Sequence, residues 1–398
     1  MDSHLLPAPA AAARIGVKRA TLYAYVSRGL LTAFTLPGRR GSWFDPVQLD
    51  ALIRTARKPE ERRTDLRIAS AITLIEHGRY WYRGRVPEAL AAAHRYEAVT
   101  EFLWTGVVPE RPPIWPVDER AVTRARRAQS VLPPTASLPD RLRAVVATLG
   151  ASDALRFDLR PAGALATARR LMGATVAALA PRVVRAGSSR RDIATAVGAS
   201  VSARALPPAT VRALDTTLTM MADHELAAST LAVRVAASFR ADPYAAVSAG
   251  LGAMAGTWHG AASRQVEEAL DALRRRQPVE QVAAALLREA HVQPGFGHPL
   301  YPDGDPRVEV LLRLARAARA TPEADALLRT ARAQGVARPN VDFALATLCR
   351  ALRLAPGAGE AIFTIGRLAG WLAHAMEEYA QATTFRQRAI YTGPRPSD

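Results

Sequence analysis

Three histidines, an aspartate and two arginines stand in settings where side chains could do chemistry. The stretch "PGFGHPLYPDGDPR", residues 294–307, packs glycines, prolines and two aspartates around His298 and Arg307, and is too broken for a helix or a strand. His224 lies in "ADHELAAST" and His259 in "GTWHGAAS", both beside small residues that let a ligand and the backbone approach closely. An imidazole can move a proton, donate a hydrogen bond or bind a metal. Taken singly, such a histidine is more often packed and hydrogen-bonded than catalytic. No two of the three have the four-residue spacing of paired metal ligands, and no cysteine joins them, so no metal site is expected. Asp342, in "RPNVDFALATL", sits just before an apolar helix, where an N-cap role would explain it. In "EAIFTIGRLAGWLAHAMEEY", Ile365, Leu368 and Leu372 share one helix face, and Phe363, Arg367, Gly370, Trp371 and His374 share another. A helix apolar on both faces is buried, so Arg367 needs an anionic partner inside, either a protein carboxylate or a substrate.

The elements that must position these residues read as helices. Extended runs are almost absent, and segments such as "VEEALDALRRR" repeat apolar residues every three or four positions. Breaks fall where Pro and Gly cluster, at "VLPPTASLP", "ARALPPAT", the 294–307 stretch and "RLAPGAGE". The 398 residues, 49% hydrophobic and 22% charged, suit a globular protein with a mainly α fold. No apolar run is long enough to span a membrane, and no signal peptide is expected, which leads to a cytoplasmic expectation. The single cysteine, Cys349, excludes an intrachain disulfide and is expected to pack in a helix. The net charge of +17 comes almost wholly from arginine, spread along the chain at helical spacings; Lys18 and Lys58 are the only lysines. Bulk charge therefore says little about nucleic acid.

The first 57 residues form a separate unit, followed by a charged linker over 58–67 around "ARKPEERRTD". "AARIGVKRATLYAYVSRGLL" reads as helix, turn at Gly16, helix. "TAFTLPGRRGSWFDPVQLDALI" reads as two short extended pieces around a basic turn, then a helix capped by Asp45. This order resembles the winged helix-turn-helix of the MerR/excisionase type. The resemblance implies that Lys18, Arg19, Thr21 and Tyr23 face a major groove of duplex DNA, and that Arg39 and Arg40 reach phosphates.

Over about residues 68–393, six segments in chain order, "DHELAAST", "WHGAAS", "GFGHPLYPDGDPR", "NVDFALATL", "FTIGRLAGWLAH" and "RQRAIYTGP", resemble the citrate synthase family. An earlier stretch, "SAITLIEHGRYWYRGRVPEALA", is similar to that family's N-terminal hairpin and helix. The resemblance implies a transferase of the tricarboxylic acid cycle, which condenses acetyl-CoA with oxaloacetate and hydrolyses the citryl thioester. It assigns Asp342 as the base that takes the acyl α-proton, and His259 as the donor to the thioester oxygen. It assigns His298 to the oxaloacetate carbonyl and His224 to oxaloacetate binding. Arg307, Arg367 and Arg386 would clamp substrate carboxylates, Arg386 from a neighbouring subunit of a homodimer. The implied fold is a large helical domain with a smaller one over about 260–345, closing on both substrates with no metal and no prosthetic group. Ala227, the "HGAAS" sequence and Gln387 depart from the common family pattern, though none is a residue with an assigned role. A 2-methylcitrate synthase acting on propionyl-CoA, and a DNA-binding regulator that only senses a metabolite, are the alternatives.

Overall fold

Many of the prolines that punctuate the sequence open helices. Pro87, Pro139, Pro161, Pro208, Pro243, Pro306 and Pro322 all lie in first turns. There the missing N–H costs nothing and the fixed φ is already helical. The computed structural model describes residues 5–27, 30–36, 41–49, 68–111, 113–133, 135–180, 192–256, 262–287, 293–381, 384–386 and 393. It divides the chain into two compact units, Met1–Ala69 and Ser70–Asp398.

In the first unit, β1 (Leu6–Pro7) leads into α1 (Ala8–Arg14) and α2 (Arg19–Ser27), followed by β2 (Phe34–Thr35) and β3 (Ser42–Phe44). Gly16, at φ 69°, makes the turn between the helices. The strands form an antiparallel sheet in the order β1-β3-β2, with Leu6 opposite Phe44 and Phe34 opposite Trp43. The β1 strand had no signal in the sequence, being two residues long. Ala11, Leu22, Leu31, Phe44 and Leu49 make a small core. Asp45 Oδ1 accepts from the Val47 N–H at 2.8 Å, where helical backbone begins over 46–49.

The second unit begins with a hairpin, β4 (Thr73–Glu76) and β5 (Arg79–Tyr82), in which Thr73 faces Tyr82. The helices described after it are α3 (Pro87–Ala93), α4 (Tyr96–Thr105), α5 (Glu119–Ser130), α6 (Leu138–Ser152), α7 (Pro161–Leu179), α8 (Ile193–Val201), α9 (Pro208–Met221) and α10 (Ala228–Ser238). Then come α11 (Pro243–Met254), α12 (Ala262–Arg274), α13 (Val279–Leu286), α14 (Pro306–Ala318), α15 (Pro322–Ala333), α16 (Val341–Ala351) and α17 (Ala358–Ala380). The mainly helical expectation holds. Among the described residues no helix is long and apolar enough to cross a membrane. Cys349 is buried in α16, where burial pushes its thiol well above its usual range.

The longest of the described helices, α17, is the axis of this unit. It packs against α4, α9, α10 and α11 and reaches α16. Its buried residues run from Ala358 to Tyr379, on both faces that the sequence marked as apolar. Gly366 and Gly370 lie one turn apart, where α17 meets the end of α9. A Cβ on Gly366 would sit 2.8 Å from Met221 Cβ, and one on Gly370 would sit 2.2 Å from Asp223 Oδ1. Only glycine allows so close an approach. It brings the turn bearing His224 onto the helix bearing Arg367.

Candidate active site

The broken 294–307 loop is fixed by the segment that leads into α16. Gly297 N–H bonds to Arg338 O at 2.8 Å, Asn340 N–H to Gly295 O at 2.9 Å, and Asn340 Nδ2 to Gly297 O at 3.0 Å. Phe296 and Phe343 pack at 5.3 Å. Gly295 is at φ 81°, and a Cβ there would meet Val266 Cγ2 at 2.6 Å. Asp305 then ends the loop with three contacts. It caps α14 through the Arg307 N–H, accepts from the Val341 N–H at 3.1 Å, and grips the Arg307 side chain. One carboxylate thus ties together the starts of α14 and α16.

His298 and His224 meet on this frame. Their rings lie 5.1 Å apart, edge to face, and Tyr301 packs against both. His224 Nε2 is 2.8 Å from the Tyr301 hydroxyl. The Leu300 N–H donates to His298 Nδ1 at 3.2 Å. That leaves the His298 proton on Nε2, as a neutral donor. Burial first, and then the Arg307 charge, lower its pKa to about 4. Burial, with Arg307 and Arg367, also holds His224 well below the usual range.

Both arginines are buried, and they are used differently. Arg307 gives Nε and Nη2 to Asp305, at 2.9 and 2.7 Å, which leaves the Nη1 edge for another acceptor. Arg367 donates from Nε to the Met221 carbonyl at 2.9 Å and lies 4.9 Å from the Phe363 ring centre. Of the two anionic partners expected for Arg367, a protein carboxylate is not within ion-pair distance among the described residues, which leaves the substrate alternative open. Burial pushes its pKa down, opposed chiefly by the charge of Asp223. Two buried guanidiniums beside two neutral imidazoles make a cationic cluster suited to a small dianion.

Asp342 does not cap its helix, which corrects the simplest expectation from sequence. Asn340 does so, accepting from the N–H groups of Asp342 and Phe343 at 3.0 and 3.4 Å. The helix starts one residue before Asp342, which puts the carboxyl in the first turn rather than at its mouth. Burial raises its pKa to about 7; Arg307 opposes the shift and Asp305 adds to it. A carboxyl with no capping duty, poised near neutrality, can take a proton from a weak carbon acid.

A sequence model described as "Citrate synthase, C-terminal domain" matches residues 66–388. The chain belongs to the citrate synthase family. It is 30% identical over 347 residues to the citrate synthase of Acidithiobacillus ferridurans, covering 78% of this chain and 89% of that one. It is 34% identical over 194 residues to citrate synthase 2 of Bacillus subtilis, and there spans about half of the relative, 52% of its length. The citrate synthase of Thermoplasma acidophilum, solved in ternary complex with carboxymethyl coenzyme A and oxaloacetate, shares the fold. Its TM-score is 0.69 at 22% identity, over 83% of this chain and 95% of that one.

For a citrate synthase family chain, the described residues bring together His224, His298, Arg307, Arg367 and the start of α16 with Asp342. His259 lies outside them, as do Arg39 and Arg40. Arg386 is exposed; its neighbour Phe385 is tied to Ser238 by a backbone bond to the hydroxyl. In the first unit Lys18 and Arg19 are exposed, Thr21 is half-buried, and Tyr23 keeps an exposed edge while packing on Phe44. Sequence reasoning missed Tyr301, although it lies inside the quoted loop, and it also missed Asp223. Both stand beside a singled-out histidine, which was the available signal. Among the described residues one group of carboxylates, Glu97, Asp192 and Asp215, is close enough to share a cation. Each already serves the backbone: Glu97 binds the Ile193 N–H, Asp192 caps α8 and Asp215 binds the Tyr96 N–H.

Proposed function

We propose that this chain condenses acetyl-CoA with oxaloacetate and hydrolyses the resulting thioester, giving citrate and free CoA. The reading is carried by one junction. A carboxyl with no capping duty, Asp342, lies in the first turn of α16 beside a loop whose histidine, His298, is fixed as a neutral Nε2–H donor. Asp342 takes a proton from the acyl methyl group as His259 donates to the thioester oxygen, where enolate charge develops. The new carbanion attacks the oxaloacetate ketone. His298 polarises that carbonyl and gives its proton to the alkoxide. Water then cleaves the thioester, releasing the thiol. His224, Arg307 and Arg367 hold the carboxylates of the oxo acid. Arg386 would complete the clamp from a second subunit, so catalysis would need a homodimer. Closure of a smaller helical domain over about 260–345 would exclude water from the enolate.

Purified protein given oxaloacetate and acetyl-CoA should release free thiol, and none when either is left out. Propionyl-CoA is the competing acyl donor and would give 2-methylcitrate. One methylene discriminates by only about 1–3 kcal/mol, so the ratio of the two kcat/KM values decides the choice. No thiol from either donor would leave only a sensing role. The homodimer is tested by mixing Asp342→Asn with Arg386→Ala. Recovered turnover supports a shared site, and none in confirmed mixed dimers argues against it.

For the first unit we propose duplex DNA as partner. The supporting observation is exposed Lys18 and Arg19 at the start of α2, directly after the Gly16 turn and ahead of a β2–β3 pair. Retention on duplex DNA should fall steeply with salt. Arg39→Ala with Arg40→Ala should weaken it, and no retention even at low salt would argue for a protein contact instead.

A further inference from the structure

We propose that Asp223 is a positioning residue for the oxo-acid end of the site, and that Arg234 sets it through His374. This deepens the functional reading above and rests on it. The sequence hides the arrangement, since Arg234 in "LAVRVAAS" looks like one more solvated cation on a helix. Its side chain is instead wholly buried. Nε donates to Glu378 Oε1 at 2.5 Å, and Nη1 to Glu377 Oε2 at 2.7 Å. Nη1 also lies 2.8 Å from His374 Nδ1.

That last contact fixes the imidazole. A guanidinium only donates, so Nδ1 must carry a lone pair. His374 is therefore neutral, with its proton on Nε2. Nε2 faces Asp223 Oδ1 at 3.3 Å; both atoms are buried, and among the described residues neither has a hydrogen-bond partner, so each is left to the other as its nearest polar group. His374 accordingly accepts at one end and turns its remaining N–H towards the Asp223 carboxylate at the other. It carries the constraint from α10 and α17 to the turn after α9.

Asp223 in turn shapes that turn. Oδ2 accepts from the Thr73 hydroxyl at 2.5 Å and from the Glu225 N–H at 3.1 Å, folding the backbone around His224. The Tyr82 hydroxyl accepts from the Asp223 N–H and donates to the Asp223 carbonyl, at 3.1 and 3.0 Å. Glu225 is held at φ 55°, a conformation that side-chain-bearing residues rarely adopt. His224 is the residue between. The Asp223 charge is also the main electrostatic support for the cationic form of Arg367. One buried carboxylate thus serves two groups that hold the oxo acid, and none that touches the acyl thioester.

This separation gives the test. Asparagine at position 223 would turn an amide N–H against the His374 Nε2–H, or lose the Thr73 and Glu225 contacts. Asp223→Asn should raise the oxaloacetate KM about tenfold or more, while the acetyl-CoA KM stays within about twofold. His374→Ala should do the same. His374→Gln should recover most of the loss, because an amide also accepts and donates. Thr73→Val removes a single hydroxyl and keeps the shape, so it gives a milder rise if Asp223→Asn folds poorly. Circular dichroism and melting temperature show which variants are folded. The inference is overturned if folded variants keep the wild-type oxaloacetate KM, if both KM values move together, or if Gln is no better than Ala at 374. If wild-type protein releases no thiol, the functional reading fails and this inference fails with it. Wild-type turnover with an unmoved oxaloacetate KM in Asp223→Asn defeats the inference alone.

Discussion

A carboxylate in the first turn of a helix is ordinarily favoured by the backbone dipole. Asp342 has that place in α16, yet burial lifts its pKa to about 7, against an ordinary value near 3.9. Its folded-state pKa lies above the unfolded one, so the folded chain binds the extra proton between those values. Stability is therefore lost as pH rises from about 4 towards 7, and keeping the base ionised costs the fold free energy. Asp342→Asn removes that cost. The variant should be more stable than wild type at pH 8, by on the order of 1–3 kcal/mol after allowing for solvent screening, with the difference gone near pH 4. Denaturant midpoints at the two pH values check this; equal midpoints at both would show that the carboxyl is not held near neutrality. The reacting residue types were legible in the sequence because they sit in short motifs with punctuated backbone. The division of labour between Asn340 and Asp342 was not. It depends on where the helix starts, and a shift of one or two residues exchanges cap for base. Arg234 was illegible for another reason: helical periodicity cannot tell a solvated arginine from one buried against three acceptors.

Among the elements, α17 positions the site by being thin in one place. Gly366 and Gly370 let it press onto the end of α9, and the Gly370 N–H bonds to Ala222 O at 2.8 Å. A methyl at 370 would meet Asp223 Oδ1 at 2.2 Å and Ala222 O at 2.5 Å, and the latter is backbone that cannot swing aside. Gly370→Ala should cost about 1–3 kcal/mol of stability through overpacking. Because the displaced turn carries His224, it should also weaken oxaloacetate binding. A denaturant titration and an oxaloacetate binding isotherm check both, and normal binding in a destabilised variant would separate packing from positioning. The sequence showed that this helix is buried on both faces. It could not show what lies against each face, since the partners come from segments as far as 144 to 270 residues away. The proline clusters were correctly read as breaks, but several are also first turns, which composition alone does not distinguish.

For the whole molecule, the two compact units, Met1–Ala69 and Ser70–Asp398, divide the proposed functions between them. Every residue assigned to the condensation lies after Ala69. Removing residues 1–69 should leave turnover within about threefold of the full chain, a change worth less than ~1 kcal/mol, and should abolish any retention on DNA. A truncated protein that folds but no longer turns over would show that the first unit serves the chemistry. Asp342 is proposed as the base that opens the reaction. This role is tested most directly by following deuterium loss from methyl-deuterated acetyl-CoA, or thiol release, in wild type and in Asp342→Asn with oxaloacetate present. The expected result is a folded variant that still binds oxaloacetate and loses about 10²–10⁴-fold in rate. An Asn variant that exchanges deuterium and releases thiol at the wild-type rate would contradict it.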